Sequence, residues 1–150
     1  MSLLKKDAPN ARFVIDASVA LLWVFEDESS EYAEAVLKEL EDHNAIAPQL
    51  WNLEVTNALM VAVRRGRLQA EEFPLLIDAL NALPVFTLPT GREAAFKQLP
   101  ILAQECDLTI YDAAYLYLAE SFDLPLATAD RKLKRAAQKR GRFFEPRHIR

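Results

Sequence analysis

Short apolar runs alternate with helical patterns along the whole chain, and this alternation restricts the fold more than any other feature of the sequence. The apolar runs predict strands at residues 12–15, 45–47, 85–88 and 124–128, with a further edge strand at 143–144. Helical patterns fill the intervals: 18–25, from Ser29 or Ser30 to Leu40, 51–65, 70–83, 92–105 with a kink or break at Pro100, 109–122 and 132–140. This order predicts an α/β fold, a single-domain three-layer α/β/α sandwich with a mainly parallel sheet of four to five strands.

The length and composition favour one packed domain. The 150 residues fit a single domain of ordinary size, and no repeat, low-complexity tract or linker divides them. Hydrophobic residues make up 51% of the chain and charged residues 27%, which is typical of a folded rather than a disordered protein. We expect the core to span about residues 12–144 and a basic C-terminal tail to follow at 145–150.

Scarce residue types exclude several kinds of site. The single cysteine, Cys106, excludes an internal disulfide and a cysteine cage for zinc. The three glycines lie far apart, which excludes the glycine-rich phosphate loop and the dinucleotide-binding motif. No apolar run reaches ~18 residues, so we expect no membrane span. Cysteine usage of this kind favours a reducing, cytoplasmic location.

The charge is unevenly distributed along the chain. Residues 131–150 contain nine basic residues and one acidic residue, a net charge of +8, whereas residues 1–130 carry a net charge of −12. A basic end on an acidic body suggests a polyanion bound near that end. The alternative is a solvated helix whose basic residues complement its C-terminal dipole.

Four acidic residues lie where predicted strands end or helices begin. Asp16 ends the first strand, Asp130 follows the strand at 124–128, and Glu54 and Asp112 lie in the first turns of their helices. In a parallel sheet the ligand crevice lies beyond the carboxyl ends of the strands, so the four side chains are expected to converge there. Each one has a structural alternative as a helix cap or as a charge that complements a helix dipole.

Electrostatic repulsion decides what such a cluster requires. At ~6 Å and an effective dielectric constant near 20, two like charges repel by roughly 3 kcal/mol. Four clustered carboxylates must therefore take up protons or hold cations. Oxygen ligands without histidine or cysteine favour Mg²⁺ or Mn²⁺, which are the ions of phosphoryl chemistry.

Three stretches carry a resemblance to a known family: FVIDASVALLWVFEDE, APQLWNLEVTNALMVAVRRGRL and LTIYDAAYLYLAESFDLPLATADRKLKRAA. Their order and spacing, over about residues 13–137, are similar to those of the PIN-domain ribonucleases, specifically the VapC-like toxins of type II toxin–antitoxin pairs. The resemblance implies a PIN-like fold with one acidic metal site.

The resemblance also assigns residues to that site. It implies that Asp16 and Asp112 are direct metal ligands, that Asp130 binds directly or through water, and that Glu54 binds metal or positions the attacking water. Ser18, Asn57 and Thr128 match polar positions that support the carboxylates or contact phosphate. Candidate contacts to RNA are Arg64, Arg65 and Arg131; the first two also suit the C-terminal dipole of their helix.

The implied reaction is hydrolysis of an RNA phosphodiester that depends on Mg²⁺ or Mn²⁺ and leaves 5′-phosphate and 3′-hydroxyl ends. The implied partner is a cognate antitoxin protein whose C-terminal segment covers the site, and many relatives are homodimers. Two features depart from the family: the basic ending RFFEPRHIR, and Asp107, which we interpret as a bystander.

Two other functions compete with the nuclease. One is a catalytically silent PIN-like module that binds protein or RNA, which the presence of all four acids does not favour. The other is a haloacid-dehalogenase-type phosphatase, since Asp16 follows a first strand. That chemistry uses an Asp-x-Asp motif, whereas this chain has Asp16-Ala17-Ser18 and so lacks the general acid.

Overall fold

A computed structural model describes residues 10–25, 27 and 30–147. In this part of the chain four parallel strands form one sheet, in the spatial order β3-β2-β1-β4. The strands are β1 Ala11–Ile15, β2 Asn44–Pro48, β3 Val85–Leu88 and β4 Leu126–Ala127. The prediction of a parallel sheet is confirmed at its lower limit of four strands.

Helices connect the strands and cover the sheet. Within the described residues they are α1 Ala17–Val24, α2 Glu31–Glu39, α3 Leu50–Arg64, α4 Glu72–Asn81, α5 Leu99–Cys106, α6 Ile110–Ser121 and α7 Arg131–Lys139. Ser30 caps α2 by accepting a hydrogen bond from the Ala33 N–H at 3.0 Å, whereas the alternative cap, Ser29, lies outside the described residues.

The central strand shows that both faces of the sheet are covered. Phe13, Val14 and Ile15 are all fully buried. Because neighbouring residues along a strand point to opposite faces, burial of all three requires a layer on each side. The three-layer α/β/α arrangement is therefore confirmed, and it leaves the carboxyl ends of the strands as the place where a site can open.

The helical pattern at 92–105 is divided by a π-helical turn, Ala94–Gln98, which leads directly into α5. The Leu99 N–H donates to the carbonyl of Ala94, five residues earlier. Pro100 lacks an N–H, so the Phe96 carbonyl has no partner four residues ahead, and a wider turn accommodates that loss. The expected interruption is confirmed, and it precedes the proline.

The C-terminal segment differs from the tail that the sequence predicted. The expected edge strand at 143–144 is a single parallel bridge between Leu126 and Phe143, and Pro146, which has no N–H to donate, soon follows. The Phe144 ring stacks on Phe13 with centroids 4.3 Å apart, and both rings are buried. Residues 145–147 are described as part of the fold, whereas 148–150 lie outside the described residues.

No helix in the described part of the chain is long and apolar enough to cross a membrane.

Candidate active site at the carboxyl edge of the sheet

Asp16 is the most deeply buried acid of the candidate site. It directly follows β1, is only 4% exposed and caps α1, since its Oδ1 accepts a hydrogen bond from the Val19 N–H at 3.3 Å. The Ser18 hydroxyl donates to the same oxygen at 2.6 Å, and the Thr128 hydroxyl donates to Oδ2 at 2.5 Å. Asp16 therefore caps α1, and these hydrogen bonds hold its carboxylate in one orientation at the sheet edge.

The two hydroxyl residues also join the ends of β1 and β4. The Ala129 N–H donates to the Ser18 hydroxyl at 2.9 Å, and the Asp130 N–H donates to the Thr128 hydroxyl at 3.0 Å. The supporting role predicted for Ser18 and Thr128 agrees with these contacts. Because the strands are neighbours in the sheet, residues 112 positions apart in sequence meet at one carboxylate.

Burial raises the pKa of Asp16 to about 7. The hydrogen bonds from Ser18, Thr128 and the Val19 N–H favour the charged form but do not offset burial, and the charge of Asp112 raises the pKa further. The sequence argument expected mutual repulsion to be the main effect. Desolvation is larger, because the covering layers remove water from this side chain.

Asp112 links the four acids electrostatically. It lies in the first turn of α6, whose N-cap, Thr109, accepts a hydrogen bond from the Asp112 N–H at 3.0 Å. Burial raises the pKa of Asp112 to about 6, the charges of Asp130 and Glu54 raise it further, and Lys132 opposes the shift. Asp112 also contributes to the shift at Asp16. All four predicted acids therefore lie within electrostatic reach of one another through Asp112.

Glu54 differs from its predicted setting. It is the fifth residue of α3 and lies beyond the first turn, so a role in complementing the N-terminal dipole is wrong for this residue. The Tyr115 hydroxyl donates to Glu54 Oε1 at 2.5 Å, and Tyr115 is only 1% exposed. Burial first, and then Glu54, raise the pKa of the Tyr115 phenol, which keeps it a hydrogen-bond donor.

The sequence analysis did not assign Tyr115 to the site and missed this contact. The available signal was its spacing: Tyr115 follows Asp112 by three residues on α6, so the two side chains share one face of the helix.

Asp130 caps α7, since its Oδ2 accepts a hydrogen bond from the Leu133 N–H at 2.9 Å. The side chain is half-buried, and its charge acts on Asp112. Capping and membership of the acidic cluster are therefore compatible at this position, as they are at Asp16.

The donor set suits a hard cation, although the acids do not form a preorganised cage. Within the described residues, no group of three histidine, cysteine or acidic side chains stands ready to hold a metal ion. The cluster offers only carboxylate and hydroxyl oxygens, the ligands that Mg²⁺ and Mn²⁺ prefer. Asp16 is buried and receives hydrogen bonds from hydroxyl and backbone groups but no ion pair in the described structure, so a cation would stabilise its charged form.

Other predicted residues lie at the edge of the site or away from it. Asn57 is exposed one turn after Glu54 and makes no hydrogen bond to the acids in the described structure. Arg64 and Arg65 are exposed at the end of α3, about 15 Å along the helix from Glu54. Arg131 is exposed and directly follows Asp130, so it borders the acidic cluster.

Asp107 lies apart from the cluster. Its side chain is 93% exposed and forms an ion pair with Lys132 at 3.3 Å. Its backbone adopts a left-handed conformation with φ 52° at the C-cap of α5. These observations agree with its interpretation as a bystander.

The chain is similar to known proteins over most of its length. The PIN domain family model matches residues 13–139. The chain is 35% identical over 127 residues to Ribonuclease VapC3 of Pyrobaculum aerophilum, an alignment that covers 81% of this chain and 92% of that protein. The crystal structure of PAE2754 from Pyrobaculum aerophilum matches with a TM-score of 0.64 and 29% identity, covering 89% of this chain and 85% of that one.

Proposed function

The chain belongs to the PIN domain family, and from that membership we propose that it is a metal-dependent endoribonuclease, the toxin of a toxin–antitoxin pair. The observation that carries the proposal is the electrostatic coupling of Asp16, Glu54 and Asp130 to Asp112 at the carboxyl edge of the sheet. The similarity to Ribonuclease VapC3 supports RNA as the substrate.

We assign the acids distinct roles. Asp16, Asp112 and Asp130 would hold Mg²⁺ or Mn²⁺, which supplies positive charge next to the scissile phosphate. Glu54 positions the attacking water and accepts its proton, while the Tyr115 hydroxyl fixes one carboxylate oxygen and leaves the other for water. The water oxygen bonds to phosphorus, the bond to the 3′ oxygen breaks, and a proton ends on that oxygen, giving 5′-phosphate and 3′-hydroxyl products.

The polar neighbours act through the acids or on the substrate. Ser18 and Thr128 are positioning residues, because both oxygens of Asp16 accept their hydroxyl hydrogen bonds. Arg131 is the RNA contact best supported by its place beside Asp130. Asn57, Arg64 and Arg65 remain candidates for phosphate contacts farther along α3.

Membership of a toxin–antitoxin pair implies a protein partner. We propose a cognate antitoxin whose C-terminal segment covers the acidic cluster and brings a cation to Asp16, which is buried without an ion pair in the described residues. A homodimer and a cytoplasmic location complete the proposal. A small gene for a DNA-binding protein directly upstream would support the pairing.

The proposal is tested by incubating the purified chain with a structured RNA in Mn²⁺ or Mg²⁺, with and without a chelator. We expect cleavage that the chelator stops and that Asp112→Asn abolishes. Asp107→Asn is the matched control, because it removes an acid five residues away that lies outside the cluster.

Persistent cleavage by Asp112→Asn would indicate a contaminating nuclease or a wrong site. Absence of metal-dependent cleavage together with retained binding to the partner would favour the catalytically silent module.

A further inference from the structure

A cavity of about 620 Å³ opens beside the acidic cluster. It begins at Thr128, whose hydroxyl holds Asp16, and extends to Phe143 and Pro146 in the C-terminal segment. Its side walls are the start of α2, including Tyr32, and the first turns of α7. The volume falls within the ~300–1,000 Å³ of small-ligand sites.

Two exposed cations of α7 line this cavity, Arg131 and Lys134. Neither forms an ion pair with a carboxylate in the described part of the chain, whereas the neighbouring Lys132 pairs with Asp107 and Arg140 pairs with Glu120. Cations next to the proposed scissile position are suited to the phosphates of a nucleic acid strand.

Two aromatic rings also line the cavity. The rings of Tyr32 and Phe143 stack with centroids 5.4 Å apart and planes 16° from parallel. The Tyr32 hydroxyl donates to the Phe144 carbonyl at 2.8 Å, which fixes the ring, and Lys134 Nζ lies 5.0 Å from the Phe143 ring centroid. A rigid aromatic surface next to a cation is a combination that binds unstacked bases and their phosphates in single-stranded RNA.

The charged residues that line the cavity make one side acidic and the other basic. Glu31 and Glu145 also line it, on α2 and on the C-terminal segment. These acids repel phosphate, so a bound phosphate belongs at the α7 side near Thr128. Carboxylates instead accept hydrogen bonds from the amino groups of bases.

We propose that this cavity binds a nucleotide that flanks the scissile phosphate, with Arg131 and Lys134 on its phosphate and the Tyr32–Phe143 surface against its base. This inference rests on the proposed ribonuclease function and names a substrate subsite for it. RNA is favoured over a protein occupant because the cavity borders the acidic cluster at Thr128, which donates to Asp16, and because Arg131 directly follows Asp130.

Two double variants of α7 test the subsite. Arg131→Gln/Lys134→Gln removes the cations of the cavity, and Arg135→Gln/Lys139→Gln removes the same charge from the same helix but from the groove beside Cys106. We expect the first pair to raise KM about tenfold or more with little change in kcat, and the second to change neither.

Binding gives a readout that does not depend on cleavage. The binding assay uses fluorescence anisotropy of a labelled single-stranded RNA, with Asp112→Asn in each background. The slope of log K against log salt should be less steep by about 0.7 for the cavity pair only, since each phosphate that is no longer neutralised on a single strand removes ~0.7. A series of RNAs that each lack one base tests the base contact. Binding should weaken only for the RNA in which the missing base flanks the scissile phosphate.

Equal effects of the two pairs, or no effect of the cavity pair, would overturn the subsite even if the wild-type chain cleaves RNA. Loss of antitoxin binding alone in the cavity pair would assign the cavity to the protein partner instead. Absence of cleavage by the wild-type chain would count against the proposed function, while the anisotropy comparison would still decide whether the cavity binds RNA.

Discussion

Two carboxylates are buried in the described part of this molecule, and they differ in the partners that surround them. Asp16 is 4% exposed at the carboxyl edge of the sheet, and Glu39 is 1% exposed at the end of α2. Asp16 receives hydrogen bonds from hydroxyl and backbone groups. Glu39 receives both a hydrogen bond and a positive charge from Arg147.

The contacts of Glu39 come from a distant part of the chain. The Arg147 backbone N–H donates to Glu39 Oε1 at 3.0 Å, and the Arg147 Nε donates to the same oxygen at 3.4 Å. His43 Nε2 lies 3.8 Å from Oε2, which has no hydrogen bond in the described structure. Burial raises the pKa of Glu39, but the hydrogen bonds and charge of Arg147 outweigh burial and lower it overall.

The two buried carboxylates differ in whether their own chain supplies a cation. Glu39 has a cation from its own chain, so its charge ties the C-terminal segment to α2. Asp16 has donors that orient it but no ion pair in the described residues, and burial raises its pKa. A buried carboxylate oriented by hydroxyls but lacking an ion pair is the arrangement expected of a group that awaits a ligand.

The largest expected effect concerns cleavage and contrasts Asp16→Asn with Glu39→Gln. Loss of a charged ligand should remove several kcal/mol of transition-state stabilisation, so Asp16→Asn should lower kcat/KM roughly 1,000-fold. Glu39→Gln should leave cleavage unchanged once the rate is divided by the folded fraction measured by circular dichroism. Equal losses in the two variants would remove the distinction between the acids.

Most helices and strands, and the positions of the acids relative to them, could be predicted from the sequence, because both depend on residues that are close together in the chain. The predicted strands and helices match the structure to within a few residues at most ends, since apolar periodicity fixes each element by itself. Asp16, Asp112 and Asp130 were selected as candidates because each lies at a strand end or a helix start, where caps and parallel-strand sites both occur.

The contacts that the sequence did not predict are tertiary. Glu39 lies in the acidic stretch KELED, a pattern typical of solvent-exposed residues. Nothing near it in the sequence indicates that Arg147 is its partner. The order of the strands and the Tyr115–Glu54 hydrogen bond likewise depend on how distant elements pack. Residues 145–150 were predicted to be a basic tail, because nothing near Arg147 in the sequence indicates its contact with Glu39.

The next effect in size is the pH dependence of stability, which should have opposite signs for the two acids. Burial raises the pKa of Asp16 from 3.8 to about 7, so its neutral form stabilises the fold fully below pH 3.8, and that stability is lost as the pH rises through 7. Asp16→Asn should therefore match the wild-type chain near pH 4 and be more stable at pH 8, by about 4 kcal/mol at most at ~1.4 kcal/mol per pKa unit.

For Glu39 the lowered pKa reverses the direction. Its charged form stabilises the fold above its ordinary value of 4.5, and that stability is lost as the pH falls through the lower folded-state pKa. Glu39→Gln should cost most above pH 5 and little at low pH. Urea unfolding from pH 3 to 8 in chelator measures both curves, and a pH-independent gain for Asp16→Asn would contradict the assignment.

The smallest effect isolates the cation of Glu39. Arg147→Ala removes the guanidinium but keeps the backbone N–H bond, and the Arg147 side chain is 56% exposed, so solvent screening limits the loss in unfolding free energy to about 1 kcal/mol. Arg142→Ala is the matched control, because its partner Asp123 is 90% exposed and the pair should contribute less than Arg147 does.

His43 makes the final comparison sharper, since its Nε2 lies 3.8 Å from Glu39 Oε2 and stays beside that carboxylate once the arginine is lost. If His43 then takes over, Arg147→Ala/His43→Ala should lose more stability than the sum of the two single variants in a double-mutant cycle. Cleavage of RNA by Arg147→Ala should stay at the wild-type rate, because neither Glu39 nor Arg147 contacts any of the four acids of the cluster in the described structure. A fall in cleavage without a fall in stability would show that the two buried carboxylates are coupled.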